Sequence, residues 1–161
     1  MQTFTYILPE IFLSLVIMLL LMVGVFVKKS YKIVNLLSIL ALIFTSILIL
    51  NQFGSSNKIF NNSYIIDDLS VFMKILTLLF CALVIICSKD YVKINHIDKI
   101  EYPIMILSSI LGMLIMISSF DLMVFYLGLE LQSICLYILA SFKKEDSKSS
   151  EAGLKFFVLS A

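Results

Sequence analysis

Long apolar runs make up most of the chain and are separated by short polar segments. A membrane-spanning helix needs about 20 mostly apolar residues, and five runs meet this requirement, with a sixth beginning near the last residue. They cover residues 6–27, 33–50, 69–88, 103–119, 122–142 and 149–161. The stretch Leu15–Val23 does not alternate between apolar and polar residues, unlike a transmembrane β-strand. The pattern predicts that residues 1–161 form an all-α, polytopic transmembrane helix bundle with five complete helices and the start of a sixth.

Composition agrees with a membrane protein. The 161 residues are 61% hydrophobic and 14% charged, whereas a soluble domain is about half apolar and about a quarter charged. The first run lacks a preceding positive segment and is too long for a signal peptide, so we expect a retained helix. Cys81, Cys87 and Cys135 lie in apolar runs without CxxC spacing, which favours packing. The only histidine, His96, lies in a polar loop, and we expect no metal site.

Loop lysines predict the orientation in the membrane. Three alternate loops carry nine of them: Lys28, Lys29, Lys32, Lys89, Lys93, Lys99, Lys143, Lys144 and Lys148. The other two connections carry only Lys58 or no lysine at all. By the positive-inside rule the lysine-rich side faces the cytoplasm or the mitochondrial matrix, and the N-terminus lies outside. The polar segment 51–68 is then expected to be a solvated external connection.

Ionisable residues within or near the predicted spans are the candidates for function, because a charge at membrane depth is costly. They are Glu10, Lys74, Asp121, Glu130 and Lys155. Asp121 precedes the fifth helix, where a carboxylate suits the helix dipole. Glu10 lies about one turn inside the first helix and can reach the interface. Lys74 lies about five residues inside the third helix, where it either snorkels to the headgroups or acts in a proton path.

Glu130 is the deepest of these groups. It follows Leu122 by eight residues and precedes Phe142 by twelve, so it lies about 12 Å from one helix end and about 18 Å from the other. A glutamate cannot snorkel over that distance, and it must face the bundle interior, a hydrated cavity or a cation. Further polar residues on the same helix favour a hydrated path: Tyr126, Gln132, Ser133 and Tyr137. A purely structural buried ion pair is the alternative.

Lys155 on the sixth helix is the expected partner of Glu130. A short loop joins the fifth and sixth helices, which predicts antiparallel neighbours. Counted from their shared end, the two residues differ in depth by about 10 Å, so direct contact and a bridging water or third charge both remain open. A pair that exchanges partners can pass a proton, whereas a permanent pair only holds the fold.

Two segments carry a resemblance to a known family. They are Asp121–Ala140, with the core Tyr126-Leu-Gly-Leu-Glu-Leu-Gln-Ser133, and Ser149-Ser-Glu-Ala-Gly-Leu-Lys-Phe-Phe-Val-Leu159. The segments Glu101-Tyr-Pro-Ile104 and Leu8-Pro-Glu10 also fit. In these residues the chain resembles the proton-pumping, antiporter-like subunit N of NADH:quinone oxidoreductase, which is subunit 2 of respiratory complex I in mitochondria. The resemblance covers nearly the whole chain.

The resemblance implies a multi-pass protein of the bacterial cytoplasmic membrane or the mitochondrial inner membrane. Its partners would be the lipid bilayer and other membrane-arm subunits of complex I, with no nucleic acid. The enzyme would be an H+-translocating NADH:ubiquinone reductase, to which this chain contributes Glu130, Lys155 and Lys74 as proton-path residues. The chain contains no GxGxxG motif and no clustered cysteines, so we expect it to bind no cofactor and to carry out no redox chemistry itself.

The family extends well beyond a sixth helix, so the chain is expected to be an N-terminal portion. It would be either a fragment or a split-gene product whose C-terminal portion is a separate chain. Two other hypotheses remain open on the sequence alone. The chain could belong to a cation/proton antiporter outside complex I, or it could be a non-transporting scaffold in which Glu130 and Lys155 form a permanent pair.

Overall fold

The computed structural model describes residues 2–26, 31–54, 57–59, 63–94, 99–143 and 146–160. This part of the chain forms helices α1 (Gln2–Phe26), α2 (Tyr31–Leu50), α3 (Asp68–Ile94), α4 (Glu101–Ile117), α5 (Leu122–Ala140) and α6 (Ser147–Ser160), and strands β1 (Asn57–Ile59) and β2 (Tyr64–Ile66). His96 and three of the loop lysines, Lys28, Lys29 and Lys144, lie outside the described residues.

Helices α1 to α5 are long and apolar enough to cross a membrane, which confirms the predicted all-α transmembrane bundle. Most helix ends lie within four residues of the predicted ones. The end of α3 differs, because it continues through Lys89–Ile94 rather than stopping at Ser88. Val92 is fully buried in this extension, so apolar packing supports the added turns while the lysines extend towards water.

Proline 9 lies farther inside its helix than the sequence predicts. The apolar run places Pro9 in the first turn, but α1 begins at Gln2, so this proline is in the helix interior. A proline there has no N–H to donate to the carbonyl four residues earlier. Close by, the Gln52 side chain donates a hydrogen bond from Nε2 to the Tyr6 carbonyl oxygen at 3.0 Å. The end of α2 therefore supports α1 beside the interruption.

Helix α4 lies at the centre of the described bundle and packs against α1, α3 and α5. Its buried apolar residues recur every three or four positions: Ile104, Leu107, Ile110 and Leu114. In contrast, α1, α2 and α3 expose many large apolar side chains on their outer faces. These faces suit lipid, whose hydrocarbon core solvates them.

Two glycines allow α4 and α5 to pack very closely. A Cβ atom added at Gly112 would lie 2.8 Å from the Gly128 carbonyl oxygen, and one added at Gly128 would lie 3.0 Å from the Gly112 carbonyl oxygen. Small residues are typical of such close helix crossings in membranes. Because Gly128 comes two positions before Glu130, this crossing sets where Glu130 lies relative to α4.

The connection between α2 and α3 folds back onto the bundle. Strands β1 and β2 pair antiparallel, and the alternate residues Tyr64 and Ile66 are buried. The hairpin also binds the α4–α5 turn, since the Ile65 amide donates to the Ser118 carbonyl at 2.9 Å and the Phe120 amide donates to the Ser63 carbonyl at 3.0 Å. The prediction of a solvated connection is therefore wrong for this part, because its alternating apolar side chains find a buried surface.

The connections alternate between the two ends of the bundle, as predicted. The hairpin meets the α4–α5 turn at one end. At the other end, Tyr102 at the start of α4 and Phe142 after α5 stack edge to face, with ring centroids 5.9 Å apart. We call the hairpin end the outer end, following the lysine distribution. The sidedness itself stays a prediction.

Candidate functional site

A buried ion pair joins α1 to α3 near the outer end. Lys74 Nζ lies 2.6 Å from Glu10 Oε1, and the two side chains are only 1% and 7% exposed. Lys74 therefore does not snorkel to the membrane surface. Removing two charges from water costs several kcal/mol per ion, so the close contact between them is a condition for burying either one.

Tyr64 of the hairpin completes this cluster. Its hydroxyl donates to Glu10 Oε1 at 2.7 Å and accepts a hydrogen bond from Lys74 Nζ at 2.9 Å. The same ammonium lies 5.1 Å from the centroid of the Tyr64 ring. Three segments distant in sequence thus meet at one point, and hydrogen bonds link all three side chains in a closed ring.

The surroundings of Tyr64 keep its hydroxyl group protonated. Burial raises the pKa of the Tyr64 phenol above its ordinary value, and the nearby Glu10 carboxylate raises this pKa further. Ionised tyrosine would place a second negative charge beside Glu10, which explains the direction. Tyr64 is therefore a neutral hydrogen-bond donor at physiological pH.

Two oxygen atoms beside the cluster are buried without a hydrogen-bond partner among the described residues. They are Glu10 Oε2 and Ser118 Oγ. The Ser118 hydroxyl is close enough to Tyr64 to lower its pKa slightly against the larger opposing effects, but it lies outside normal hydrogen-bond geometry. Buried polar atoms of this kind often bind internal water. The cluster can therefore accept a hydrogen bond at a carboxylate oxygen not used by Lys74.

The sequence contains a signal for the Glu10–Lys74 pair that the residue-by-residue interpretation missed. Both residues lie four or five positions inside the outer ends of their predicted helices, so their depths match to within about 1.5 Å. Opposite charges at equal depth on different helices are natural partners. Tyr64 carries no comparable signal, because its position depends on the hairpin.

Glu130 lies in α5 and is partly buried. The Tyr126 side chain, one turn earlier, lies close enough to the Glu130 carboxylate to interact with it electrostatically. The Ser133 hydroxyl donates to the Glu130 backbone carbonyl at 3.0 Å. Polar groups thus accompany the carboxylate at depth, but α5 buries few of its residues within the described bundle. Much of the α5 surface is therefore exposed in the described bundle.

Lys155 is not next to Glu130. Helices α5 and α6 are antiparallel neighbours, as predicted, because Tyr137 packs edge to face against Phe156 with ring centroids 5.0 Å apart. Lys155 therefore lies near the level of Tyr137, about 10 Å along α5 from Glu130. Its ammonium lies 2.6 Å from Glu151 Oε1 on the same helix, and both side chains are more than half exposed.

Asp121 caps α5, in agreement with the expectation for a carboxylate at a helix start. Its backbone is extended, and Oδ1 accepts a hydrogen bond from the Met123 amide at 3.3 Å. This is the usual geometry of an N-cap residue. Its role here is structural, and it anchors the helix that carries Glu130.

Two family patterns match the chain. The family described as "NADH-ubiquinone oxidoreductase chain 4, amino terminus" matches residues 10–96, which is more than half of the chain. The family described as "NADH:quinone oxidoreductase/Mrp antiporter, TM" matches residues 119–161. The two matches include all the predicted ionisable residues, from Glu10 to Lys155.

Individual proteins are similar over almost the whole chain. Subunit N of the NADH-quinone oxidoreductase of Pelagibacter ubique is 57% identical over 162 residues, which cover 100% of this chain and 34% of the relative. The subunit N of Bartonella bacilliformis is 44% identical over 156 residues, covering 96% of this chain and 32% of that protein. The chain thus spans about a third of the length of these relatives.

A solved structure shares the fold. It is a chain of respiratory complex I from Thermus thermophilus with bound aureothin, with a TM-score of 0.77 and 22% sequence identity. The match covers 94% of this chain and 32% of that one. Together, the family patterns and relatives identify a multi-pass membrane protein. The chain belongs to the antiporter-like membrane subunits of NADH:quinone oxidoreductase, and the relatives it matches over nearly all its length are subunit N.

Proposed function

We propose that this chain is part of a membrane-arm subunit of a proton-translocating NADH:quinone oxidoreductase and contributes Glu130, Lys155 and Lys74 to the proton path. The subunit N relatives support this assignment, and their bacterial sources support the bacterial cytoplasmic membrane. The partners are the other membrane-arm subunits and the rest of subunit N, in the same chain or in a separate one. The redox chemistry takes place elsewhere in the complex.

The observation that carries the proposal is the placement of Glu130. A carboxylate eight residues inside a spanning helix is too costly to retain without a partner or a function. Within the described residues Glu130 forms no ion pair with a lysine, and its electrostatic neighbour is Tyr126. A carboxylate without a permanent cation beside it can take up a proton and return it, which is what a relay requires.

Lys155 lies nearer the inner end, about 10 Å from the level of Glu130. Its exposed contact with Glu151 is of the i,i+4 type, which contributes only about 0.3–0.5 kcal/mol. Such a weak contact is easily exchanged. We propose that Lys155 leaves Glu151 and influences Glu130 through intervening water when the rest of the subunit surrounds α6.

Lys74 contributes through the cluster with Glu10 and Tyr64. The pair lies at a depth similar to that of Glu130, since Lys74 is six residues and Glu130 eight residues from the outer ends of α3 and α5. The proton in the hydrogen bond between Lys74 Nζ and Glu10 Oε1 would move from the nitrogen to the oxygen. In that event Lys74 becomes a neutral amine and Glu10 a neutral carboxylic acid.

The central experiment is Glu130→Gln in the full-length subunit within the assembled complex. We expect assembly to be retained and NADH-driven proton uptake into inverted membrane vesicles to fall, since glutamine keeps the size but cannot carry the proton. Glu101→Gln is the matched control, because Glu101 is an exposed carboxylate in the first turn of α4. Normal proton uptake per NADH oxidised by an assembled Glu130→Gln complex would refute the proposal.

A charge swap tests whether Lys74 acts as a relay or as a permanent pair. The double variant Glu10→Lys/Lys74→Glu keeps one charge of each sign in the cluster. A purely structural pair should retain both assembly and proton uptake after the swap. A relay should lose proton uptake while the complex still assembles, because the direction of transfer depends on which group faces the path.

A further inference from the structure

A pocket of about 380 Å³ lies at the end of the bundle opposite the hairpin. It is formed where α3 and α5 end and where α4 and α6 begin, and its lining includes Tyr91, Tyr102 and Phe142. Its volume is within the range of roughly 300–1,000 Å³ typical of small-molecule pockets. None of the proposed proton-path residues lines it.

The pocket carries a positive charge. Lys143 and Lys148 line it, and Lys99 Nζ lies 5.9 Å from the centroid of the Phe142 ring that forms part of its wall. Asp146 is the opposing carboxylate among the lining residues. Among the lining residues the two lysines therefore outnumber the one carboxylate, and Lys99 adds a positive charge beside the wall.

The Asp146 carboxylate already has a structural task. Its Oδ1 accepts a hydrogen bond from the Lys148 amide at 3.1 Å, and its carbonyl oxygen accepts one from the Ser149 amide at 3.1 Å. It therefore caps the start of α6, where the helix dipole offsets part of its charge. This leaves the lysine ammonium groups available to a ligand from outside the helix.

Apolar surface begins at the edge of the pocket. Leu139 and Ala140 line it, and Leu136 and Ile138 continue along α5 with more than a third of their surface exposed. The pocket thus lies at the level where the spanning helices end, with hydrocarbon-compatible surface towards the membrane centre. Tyrosines such as Tyr91 and Tyr102 are typical of the headgroup level.

We propose that this pocket binds the phosphate headgroup of an anionic phospholipid of the phosphatidylglycerol type. Lys143, Lys148 and Lys99 attract the phosphate, Tyr91 and Tyr102 contact the glycerol, and the acyl chains lie along α5. The continuous apolar surface favours a lipid over a soluble phosphate compound, because a soluble anion gains nothing from Leu136 and Ile138.

The test uses the purified complex that contains the full-length subunit. Phosphatidylglycerol is titrated into lipid-depleted complex in detergent, and retained lipid is counted by native mass spectrometry. We expect Lys143→Gln/Lys148→Gln to weaken retention at one site by roughly 30-fold. Each lysine near a membrane surface strengthens the binding of an anionic lipid by roughly five- to six-fold, and the two factors multiply. Lys32→Gln/Lys58→Gln is the matched control, because it removes the same charge from exposed positions outside the pocket and should retain the site.

Two further arms identify the ligand. Phosphatidylcholine should bind the site more weakly than phosphatidylglycerol, and inorganic phosphate should not displace the lipid. Equal retention of phosphatidylcholine would show that the lysines do not select the headgroup. Complete displacement by inorganic phosphate, or unchanged phosphatidylglycerol retention in Lys143→Gln/Lys148→Gln, would likewise overturn the proposal.

Discussion

Lys74 and Glu10 are 64 residues apart in sequence, yet their side chains meet at 2.6 Å in the interior of the bundle. The pair links the first helix to the third. It also explains how Glu10 and Lys74 can both be buried, because each charge neutralises the other. Its consequences for stability and for function can be separated experimentally.

Removing one member of this pair should be more harmful than removing both. We expect Lys74→Met alone to destabilise the subunit by about 3–5 kcal/mol, since it leaves the Glu10 carboxylate buried without a cation. The double variant Glu10→Gln/Lys74→Met should recover most of this loss. Thermal stability of the assembled complex measures both. Equal losses from the single and double variants would show that the two residues are not coupled.

Tyr64 gives the cluster a dependence on alkaline pH. Because burial and Glu10 raise the Tyr64 pKa above 10.0 in the folded state, the folded chain holds this proton where an unfolded chain releases it. The resulting stability is fully present below pH 10 and is lost as pH rises towards the folded-state pKa. Tyr64→Phe cannot ionise, so its stability should fall less steeply above pH 10 than that of the parent.

At neutral pH, Tyr64→Phe should cost about 1–3 kcal/mol, because Glu10 and Lys74 each lose a hydrogen-bond partner in a buried place. Tyr6→Phe is a suitable control, as the Tyr6 carbonyl accepts a hydrogen bond but its hydroxyl forms none within the described ranges. The measurement is the thermal unfolding of the complex in both variants. A similar small loss in both would mean that the Tyr64 hydroxyl contributes little.

The closest approach of α4 and α5 leaves no room for a side chain. Gly112→Ala should destabilise the subunit by about 1–3 kcal/mol or more. The new Cβ would lie 2.8 Å from the Gly128 carbonyl oxygen and 2.9 Å from the backbone nitrogen of Gln132. The backbone must move, and Glu130 moves with it. We therefore expect both assembly and proton uptake to fall.

Gly24→Ala is the control for this effect. Its Cβ would lie 2.6 Å from the Cγ2 methyl of Ile100, a side-chain group that can shift with a change of rotamer, whereas a backbone carbonyl in a helix cannot. The yield of assembled complex in membranes distinguishes the two variants. If both alanines reduced the yield equally, the helix crossing would not be the reason for the glycines.

The cap of α5 is a weaker but independent anchor. Asp121→Ala should cost about 1 kcal/mol, since it removes the acceptor for the Met123 amide. Asp121→Asn keeps an acceptor oxygen and should cost much less. Thermal stability again provides the measurement. Equal losses from alanine and asparagine would indicate that Asp121 acts by its charge rather than as a cap.

The transmembrane helices could be predicted because they depend on composition over long windows. The cap at Asp121 and the antiparallel pairing of α5 with α6 were also predictable, since both follow from short-range order along the chain. The pairing of Lys74 with Glu10 could have been inferred from equal depth and opposite charge. To predict these features, one needs to know only the length and direction of each helix and the sign of each charge.

Other features depend on contacts that no local pattern contains. The hairpin is formed from a polar, asparagine-rich segment, and its fold is decided by its binding to the α4–α5 turn. Tyr64 reaches Lys74 only because the hairpin is held against this turn. The i,i+4 contact of Lys155 with Glu151 follows from their spacing along α6, whereas the relation of Lys155 to Glu130 depends on how α5 and α6 pack in the complete subunit.

The hairpin also has a consequence for the order in which the protein is made. Ser63 leaves the ribosome well before Phe120, although the hairpin is held by hydrogen bonds to the turn that contains Phe120. The hairpin can form these hydrogen bonds only after α4 and the turn that follows it have been synthesised. Its closure onto the α4–α5 turn therefore comes after the synthesis of α4, and it joins the first three helices to the second part of the bundle.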